Sequence, residues 1–469
     1  MSTLVMKFGG TSVGSPQAIQ QVKGIVASSV QQSDRVVVVV SAMRGVTDTL
    51  IQCAEAAVDG DETQYQSLIG QLKSRHHDMM DDILADQVEI QGLSTQIDGL
   101  IEELGAYCRS IHVLGEVTPR GMDTISSLGE RMNAPLVAAA LREGGIAAQA
   151  VDAARLIVTD STFQKANPIE QATRQRVHQE LLPLLENNLI PVVTGFVAAT
   201  QDGVITTLGR GGSDYTASIL GDCLDASEVW TWTDVDGIMT ADPRIVPEAR
   251  VIPELSFNEV SELAYFGAKV LHPKTLRPII ERDIPLWVKN TFNPESRGTR
   301  VSRSRPIVSG KVTAISTIQN LSLVTVEGRG MLGIPGIAAR TFAAVARQGA
   351  SVLMISQASS EQSICFVIPT QAVPSVVQSI ESEMELELSR RDIDRVWAQP
   401  DVVIVTAVGA GLRHTPGIAG RVFSALGEAE INVIAIAQGS SEYSISIVVA
   451  AGDADQAMQK IHKEVILNG

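Results

Sequence analysis

Aromatic side chains make up only 4% of this 469-residue chain, although hydrophobic residues reach 45%. Its core must therefore be aliphatic, which suits the Val, Ile, Leu and Ala packing of α/β layers. Cationic side chains are also short: 37 Lys and Arg stand against 53 Asp and Glu, a formal charge of −16. That field argues against nucleic acid and anionic membrane as partners. An anionic small substrate stays open, because a few Arg and Lys gathered in a cleft reverse the sign locally. Only four cysteines occur, Cys53, Cys108, Cys223 and Cys365, with no CxxC pair. Buried, reduced thiols in a cytoplasmic protein are expected from that usage. No apolar run approaches membrane-spanning length; Val36 to Val40 reads as a buried strand. The stretch Met1 to Lys7 lacks a charged region followed by an apolar core, so no signal peptide is expected. The pattern GxxxxGK[ST] is missing too, which excludes a Walker-type ATPase.

What the chain does have is a glycine loop from Thr206 to Gly221 (TTLGRGGSDYTASILG). Val204 to Leu208 reads as a strand, Gly209, Gly211 and Gly212 as a loop of little bulk, and Ser213-Asp214 as the cap and first turn of a helix. Such a loop turns backbone N–H groups and a positive helix end towards an anion. Arg210 adds a forked guanidinium suited to a carboxylate or phosphate. Asp214 is an odd choice there unless a cation or metal partners it.

In chain order, Leu4 to Phe8 is a strand that runs into Gly9-Gly10-Thr11-Ser12, with Lys7 placed to reach a phosphate above the loop. A helix from about Pro16 to Ser29 and a strand from Arg35 to Val40 complete a βαβ rhythm, which predicts a parallel sheet with ligand loops at the carboxyl ends of its strands. Gln52 to about Leu114 is helical in pattern, an all-α excursion from the sheet. Its His76-His77-Asp78 is read as a solvated helix face, since adjacent residues on a helix point different ways. Ser126 to Arg142 reads as a further helix with Glu130 in its first turn. The alternation resumes at Ile146 to Val151, Glu170 to Leu185, Ile190 to Thr194 with Gly195-Phe196, and Glu228 to Trp232. Thr233-Asp234-Val235-Asp236-Gly237 follows, polar at a parallel strand's end, where ligand contacts belong. His272 before Pro273 is expected to cap a helix and to do no chemistry.

Beyond Thr299 a basic, serine-rich linker (Arg300, Arg303, Arg305) leads to an internal repeat. Pro335-Gly336-Ile337-Ala338 recurs as Pro416-Gly417-Ile418-Ala419, and Gln357 recurs as Gln438, at one constant offset of 81 residues. Each copy reads as strand, glycine turn, helix, strand, strand, helix. The first closes near Ile393 to Trp397; the second runs out at Val465 to Leu467, with little room for a last strand. Lys311 to Thr317, lying before the first copy, is a spare strand able to supply the missing edge. Val402 to Val408 with Gly409-Ala410-Gly411 imitates a dinucleotide fingerprint, but His414 holds the third glycine's place.

Six stretches together resemble aspartate kinase, of the amino-acid-kinase superfamily. They are Lys7 to Ser12 (KFGGTS), Val40 to Met43 (VSAM), Gly209 to Asp214 (GRGGSD), Trp232 to Gly237 (WTDVDG), Ala241 to Arg244 (ADPR) and Phe266 to Pro273 (FGAKVLHP), in family order over nearly the whole chain. The nearest likeness is to the kinase part of threonine-sensitive bifunctional aspartokinase–homoserine dehydrogenases. The resemblance implies an α/β amino-acid-kinase domain over residues 1–299, a linker and shared strand over 300–319, and ferredoxin-like α+β ACT domains over 320–399 and 400–469. It also implies one ACT unit inserted into the other, which accounts for the spare strand.

The implied reaction is ATP plus L-aspartate giving ADP and 4-phospho-L-aspartate, the first step towards lysine, threonine and methionine. The substrate's own carboxylate is the nucleophile, so no general base is required, and the task is positioning and neutralising charge. Lys7 and Lys269 are the implied catalytic cations, with Asp214 orienting Lys7 or holding the water shell of a Mg²⁺ that arrives with ATP. Arg210 suits the substrate α-carboxylate and Glu130 its ammonium, with Ser41, Thr47, Phe196 and Ser213 as further aspartate contacts. Gly9, Gly10, Thr233, Asp234, Met239 and Arg244 are expected on the nucleotide side; Met239 stands where many relatives carry tyrosine. The ACT pair implies an amino-acid effector and a homo-oligomer. Threonine is favoured over lysine, because Leu353 occupies the place where lysine-sensitive relatives carry an acid, and Gln357 and Gln438 suit a hydroxyl. Two rival readings remain open: another enzyme of the superfamily, such as glutamate 5-kinase, and an ACT-based sensor with an inactive kinase scaffold.

Overall fold

A computed structural model describes residues 2–267, 271–303, 312–331, 334–357, 362–412, 415–438 and 443–468. Its contacts divide into two compact units, one of Met1–Ile238, Val251–Phe257 and Leu271–Arg305, the other of Met239–Arg250, Asn258–Val270 and Pro306–Gly469.

The first unit is built on eight strands: β1 (Thr3–Phe8), β2 (Arg35–Val40), β3 (Ala148–Val151), β5 (Ile190–Thr194), β8 (Glu228–Thr233), β9 (Glu254–Ser256), β10 (Leu286–Asn290) and β11 (Thr299–Ser302). They run in the order β3-β5-β2-β1-β8-β10-β11-β9, parallel except where β11 meets β10. Runs such as VVVVV in β2 are buried on both faces, as the middle of a parallel sheet demands. Register aligns Phe8 with Val40 and Trp232, and Val40 with Thr194. The loops after β1, β2, β5 and β8 therefore leave one common edge. A small second sheet joins β4 (Val158–Thr159), β6 (Val197–Thr200) and β7 (Ile205–Thr207).

Around these strands lie α1 (Pro16–Val30), α2 (Val46–Val58), α3 (Glu62–Ile83), α4 (Gln87–Leu114), α5 (Pro119–Glu143), α6 (Glu170–Glu186), α7 (Gly212–Cys223) and α9 (Pro273–Ile280). The helical excursion is α2 to α4, packed into the aliphatic core with β1 and β2. Three expectations need correction here. Helix α5 begins at Pro119, capped by the Thr118 hydroxyl, so Glu130 lies in mid-helix and not in the first turn. Helix α7 begins at Gly212; its cap is left-handed Gly211 (φ 73°) without a side-chain bond, in place of Ser213. His76 is buried, not solvated: its Nδ1 lies 2.7 Å from Leu72 O, and burial pushes its pKa down to about 4. His272 does cap α9, its Nδ1 accepting from Lys274 N at 3.2 Å.

The second unit carries a six-stranded sheet from β12 (Ala314–Glu327), β13 (Met354–Gln357), β14 (Ser363–Pro369), β15 (Arg395–Val408), β16 (Ala435–Gln438) and β17 (Ser444–Ala450), ordered β13-β14-β12-β15-β17-β16. The spare strand and the first strand of copy one are a single element, β12. Its first half pairs with the second half of β15 and its second half with the first half of β15. The first repeat thus closes with its own fourth strand, the first half of β15, whereas the second repeat takes its fourth strand from the first half of β12, which lies before the first repeat. The second copy ends instead in a π-helical turn, Lys463–Leu467. Matching helices α10 (Ile337–Arg347) and α13 (Ile418–Glu428) are capped by Gly336 and Gly417, both at φ 93°. Arg340 pairs with Glu383 at 3.1 Å and Arg421 with Glu464 at 3.1 Å, the same bond one repeat apart. Helices α11 (Val373–Glu383), α12 (Glu385–Arg390) and α14 (Ala454–His462) complete the two cores.

Segments from the middle of the chain also belong here. Ala241 and Val246 join the core of the second repeat, and Ile315 N donates to Thr240 O at 2.8 Å. Helix α8 (Phe257–Tyr265) brings Glu259, whose buried carboxylate accepts from Thr313 Oγ1 at 2.7 Å and Ala410 N at 3.1 Å. The turn that imitates a dinucleotide loop is therefore closed on an internal carboxylate.

Candidate active site

Lys7 is the last but one residue of β1, and its neighbours on both sides are β strands, so its side chain leaves a rigid position. Its ammonium lies 2.8 Å from Asp214 Oδ1 in the first turn of α7, with the two side chains 10% and 15% exposed. Thr231 Oγ1 donates to the same oxygen at 3.3 Å. The carboxylate thus has a cation partner, and the ion pair faces a cleft of about 750 Å³.

Every sequence-proposed aspartate contact lines that cleft: Ser41 and Thr47 after β2, Glu130 on α5, Phe196 after β5, and Arg210 and Ser213 at the start of α7. Loops can converge so closely because two glycines permit it. A Cβ on Gly195 would stand 2.5 Å from Ser213 Cβ, and one on Gly209 would stand 2.8 Å from Gln164 O. Phe196 itself is left-handed (φ 67°), its N–H held by Thr216 Oγ1 at 3.1 Å. The N-terminus of α7 has no side-chain cap, leaving a positive dipole end beside Arg210 and Lys7.

Glu130 is 4% exposed, and burial pushes its pKa up to about 8 against the pull of the Ala42 backbone N–H. Its Oε2 has no hydrogen-bond partner within the protein. A buried carboxylate oxygen left without a donor is costly unless a ligand supplies one. Arg210, by contrast, is exposed at the loop's tip.

Gly9 and Gly10 lie directly after β1: Gly9 N donates to Trp232 O at 3.1 Å, and Gly10 O accepts from Arg44 N at 3.0 Å. Gly10 lines the cleft, whereas Thr233 and Asp234, at the end of β8, are not among its walls. Met239 and Arg244 belong to the second unit, where Arg244 forks onto Asp242 through bonds of 3.0 and 3.2 Å from Nε. Lys269 lies outside the described residues. Gln357 and Gln438 close β13 and β16 in matching register, opposite Ile364 and Ile445, and both are exposed.

Asp123 was missed. It lines the cleft on the same face as Glu130, seven residues or two turns earlier on α5, and is 1% exposed. Its signal was the spacing of Asp123, Ser126 and Glu130, legible only once the helix is known to start at Pro119. Among the described residues no group of three His, Cys, Asp or Glu side chains gathers as a metal site, and no helix is long and apolar enough to cross a membrane.

Known proteins share this arrangement. Residues 2–290 match the Amino acid kinase family, and residues 324–384 and 405–465 each match the ACT domain. The chain is 36% identical over 473 residues to the bifunctional aspartokinase/homoserine dehydrogenase 1 of Arabidopsis thaliana, covering 100% of this chain and 51% of that protein. It is 34% identical to aspartokinase 2 of the same plant, over 98% of this chain and 84% of the relative. E. coli aspartokinase III, solved with aspartate and ADP in its R-state, superposes with a TM-score of 0.83 at 31% identity over 99% of both chains. The chain spans about half the length of the bifunctional relatives it matches.

Proposed function

The chain belongs to the amino acid kinase family and, within it, to the aspartokinases, and from that premise we propose that its cleft phosphorylates the side-chain carboxylate of L-aspartate with ATP. The observation that carries the reading is the convergence of Lys7–Asp214, Glu130 and Arg210 on one cleft. Two anions must meet there, a carboxylate and a polyphosphate, and the cleft offers an ammonium, a guanidinium and an uncapped helix end. Lys7 neutralises phosphate oxygens from a fixed position, and Asp214 holds its ammonium in place. Arg210 clamps the substrate α-carboxylate; its exposure when unpartnered suits a group that closes on its ligand. Glu130 receives the α-ammonium on the oxygen that has no donor of its own. A free amine in this position distinguishes aspartate from acetylated substrates, which carry no charge there.

ATP supplies the phosphoryl group. The donor set suits its phosphates better than it suits a protein-held metal, so Mg²⁺ would come with the nucleotide, and Asp214 would orient Lys7 or help hold the ion's water shell. Lys269 as a second phosphate cation, and Thr233, Asp234, Met239 and Arg244 as nucleotide contacts, form part of the same proposal. So do assembly into a homo-oligomer through the ACT units and a cytoplasmic location, to which free buried Cys53, Cys108 and Cys223 are suited. Release of ADP on adding aspartate, with glutamate and N-acetylglutamate as controls, tests the reaction. Equal turnover with N-acetylglutamate sinks it.

We assign threonine as the effector, through Gln357 and Gln438. Leu353, just before β13, has no carboxylate for a second ammonium, and an unpaired buried ammonium costs several kcal/mol, on the order of 3 or more. Threonine is expected to inhibit wild type and to inhibit Gln357→Ala less. Inhibition by lysine alone overturns the assignment.

A further inference from the structure

Two buried carboxylates look into the cleft from one face of α5, and their hydrogen bonding is opposite. Glu130 has an oxygen with no donor. Asp123 is saturated: Gln164 N donates to its two oxygens at 3.0 and 2.9 Å, Thr207 N at 3.1 Å and Thr207 Oγ1 at 2.7 Å. All these donors are neutral, and burial pushes the carboxyl upward while the donors pull it back. A carboxylate so occupied has little to offer a substrate ammonium. What it does have is a hold on Thr207, three residues before Arg210, and on the turn at Gln164 that packs against Gly209. Thr207 is the last residue of β7, three before Arg210, and its carbonyl accepts from Ala166 N at 3.0 Å. Leu208 N bonds Phe196 O at 3.0 Å, and Gly209 fits against Gln164 O only for want of a Cβ.

We propose that Asp123 is a positioning residue: it draws the Gln164 and Thr207 loops onto α5 and so fixes where Arg210 meets the substrate α-carboxylate. This rests on the aspartate kinase reading for its kinetic consequences but not for its structural one. Asp123→Asn keeps the shape and replaces an accepting oxygen by an NH₂ group facing N–H donors. Thr207→Val, milder, removes one donor and leaves the backbone bonds. The tests are steady-state kinetics of both variants, alone and combined with Arg210→Lys, and amide hydrogen exchange over 205–212. Asp123→Asn is expected to raise KM for aspartate by roughly tenfold or more with KM for ATP nearly unchanged, and Thr207→Val to do the same more weakly. In the Arg210→Lys background the further rise should largely vanish, because the two residues act in series. Exchange over 205–212 should quicken in both variants while β1 and β2 keep their protection. Equal loss for both substrates, or full additivity with Arg210→Lys, overturns the proposal. Unchanged exchange overturns it even if wild type proves inactive with aspartate, an outcome that would by itself remove only the activity reading.

Discussion

At the scale of single residues the decisive contrast is between charge that is paired and charge that waits. Lys7 is paired with Asp214 within the protein, so its position is set before any ligand arrives. Lys7→Ala should therefore lower kcat by roughly a hundredfold or more while ATP binding weakens far less, as removal of a preorganised donor does. Single-turnover and binding measurements separate the two effects. Glu130 waits: burial holds its pKa near 8, so at neutral pH it is mostly protonated until an ammonium joins it. KM for aspartate should then fall as pH rises from about 6.5 to about 8.5, and Glu130→Gln should flatten that profile. The stability effect has the reverse sense. With a folded pKa near 8 and an ordinary value of 4.5, the unfolded chain binds fewer protons between those limits. Stability should decline as pH rises through that window, by up to about 1.4 kcal/mol per unit, and the slope should be shallower in Glu130→Gln. Denaturant titrations at several pH values check this.

At the scale of elements, the site depends on how closely three loops approach one another. Gly195 directly follows β5 and packs against the start of α7, and an alanine there meets Ser213 Cβ at 2.5 Å, a contact that something must relieve. Gly195→Ala should cost about 1–3 kcal/mol of stability and raise KM for aspartate, since relief moves Ser213 and the start of α7. Unfolding curves and kinetics of the same preparation separate the two. Helix α5 shows what a local reading loses. Proline at its first position and Thr118 as its cap are ordinary start signals, yet the apolar pattern by itself becomes helical only from Ser126. A helix read from Ser126 leaves out the first two turns, and with them the place of Asp123 on the face that carries Glu130. The α7 cap departs from the sequence pattern for a different reason. Serine and aspartate are good caps in general, but Gly211 supplies a left-handed turn and brings no side chain to cap the helix.

At the scale of the whole chain, sequence order and compact units disagree. The ACT-bearing unit takes residues 239–250 and 258–267 from the middle of the kinase sequence, and Ala241, Val246 and Phe266 are part of its cores. A fragment starting at residue 306 should therefore fold with a lower Tm than the full chain and bind more of a hydrophobic dye. One starting at 239 should recover much of that loss. Equal melting of the two fragments would mean that these segments add nothing to the core. The long strands β12 and β15 each run through both repeats and make them one cooperative sheet, so cutting between 399 and 402 should unfold both.

Sequence alone singled out the side chains that the fold gathers in one cleft, and the 81-residue repeat: Lys7, the glycine loop with Arg210 and Asp214, and Glu130 stand in local patterns, and local chemistry is what a linear reading sees. It also placed the spare strand, because a repeat missing one edge implies a donor. Tertiary structure decided what depends on distance. Only folding shows that Asp123 is saturated while Glu130 is not, since their donors come from residues up to 84 positions away. Only folding shows that the glycine turn at 409–411 closes on Glu259, 151 residues earlier. A carboxylate looks the same in a sequence whether its lone pairs are taken or free; burial and the identity of its donors, which the fold alone sets, decide whether it holds the protein together or meets a ligand.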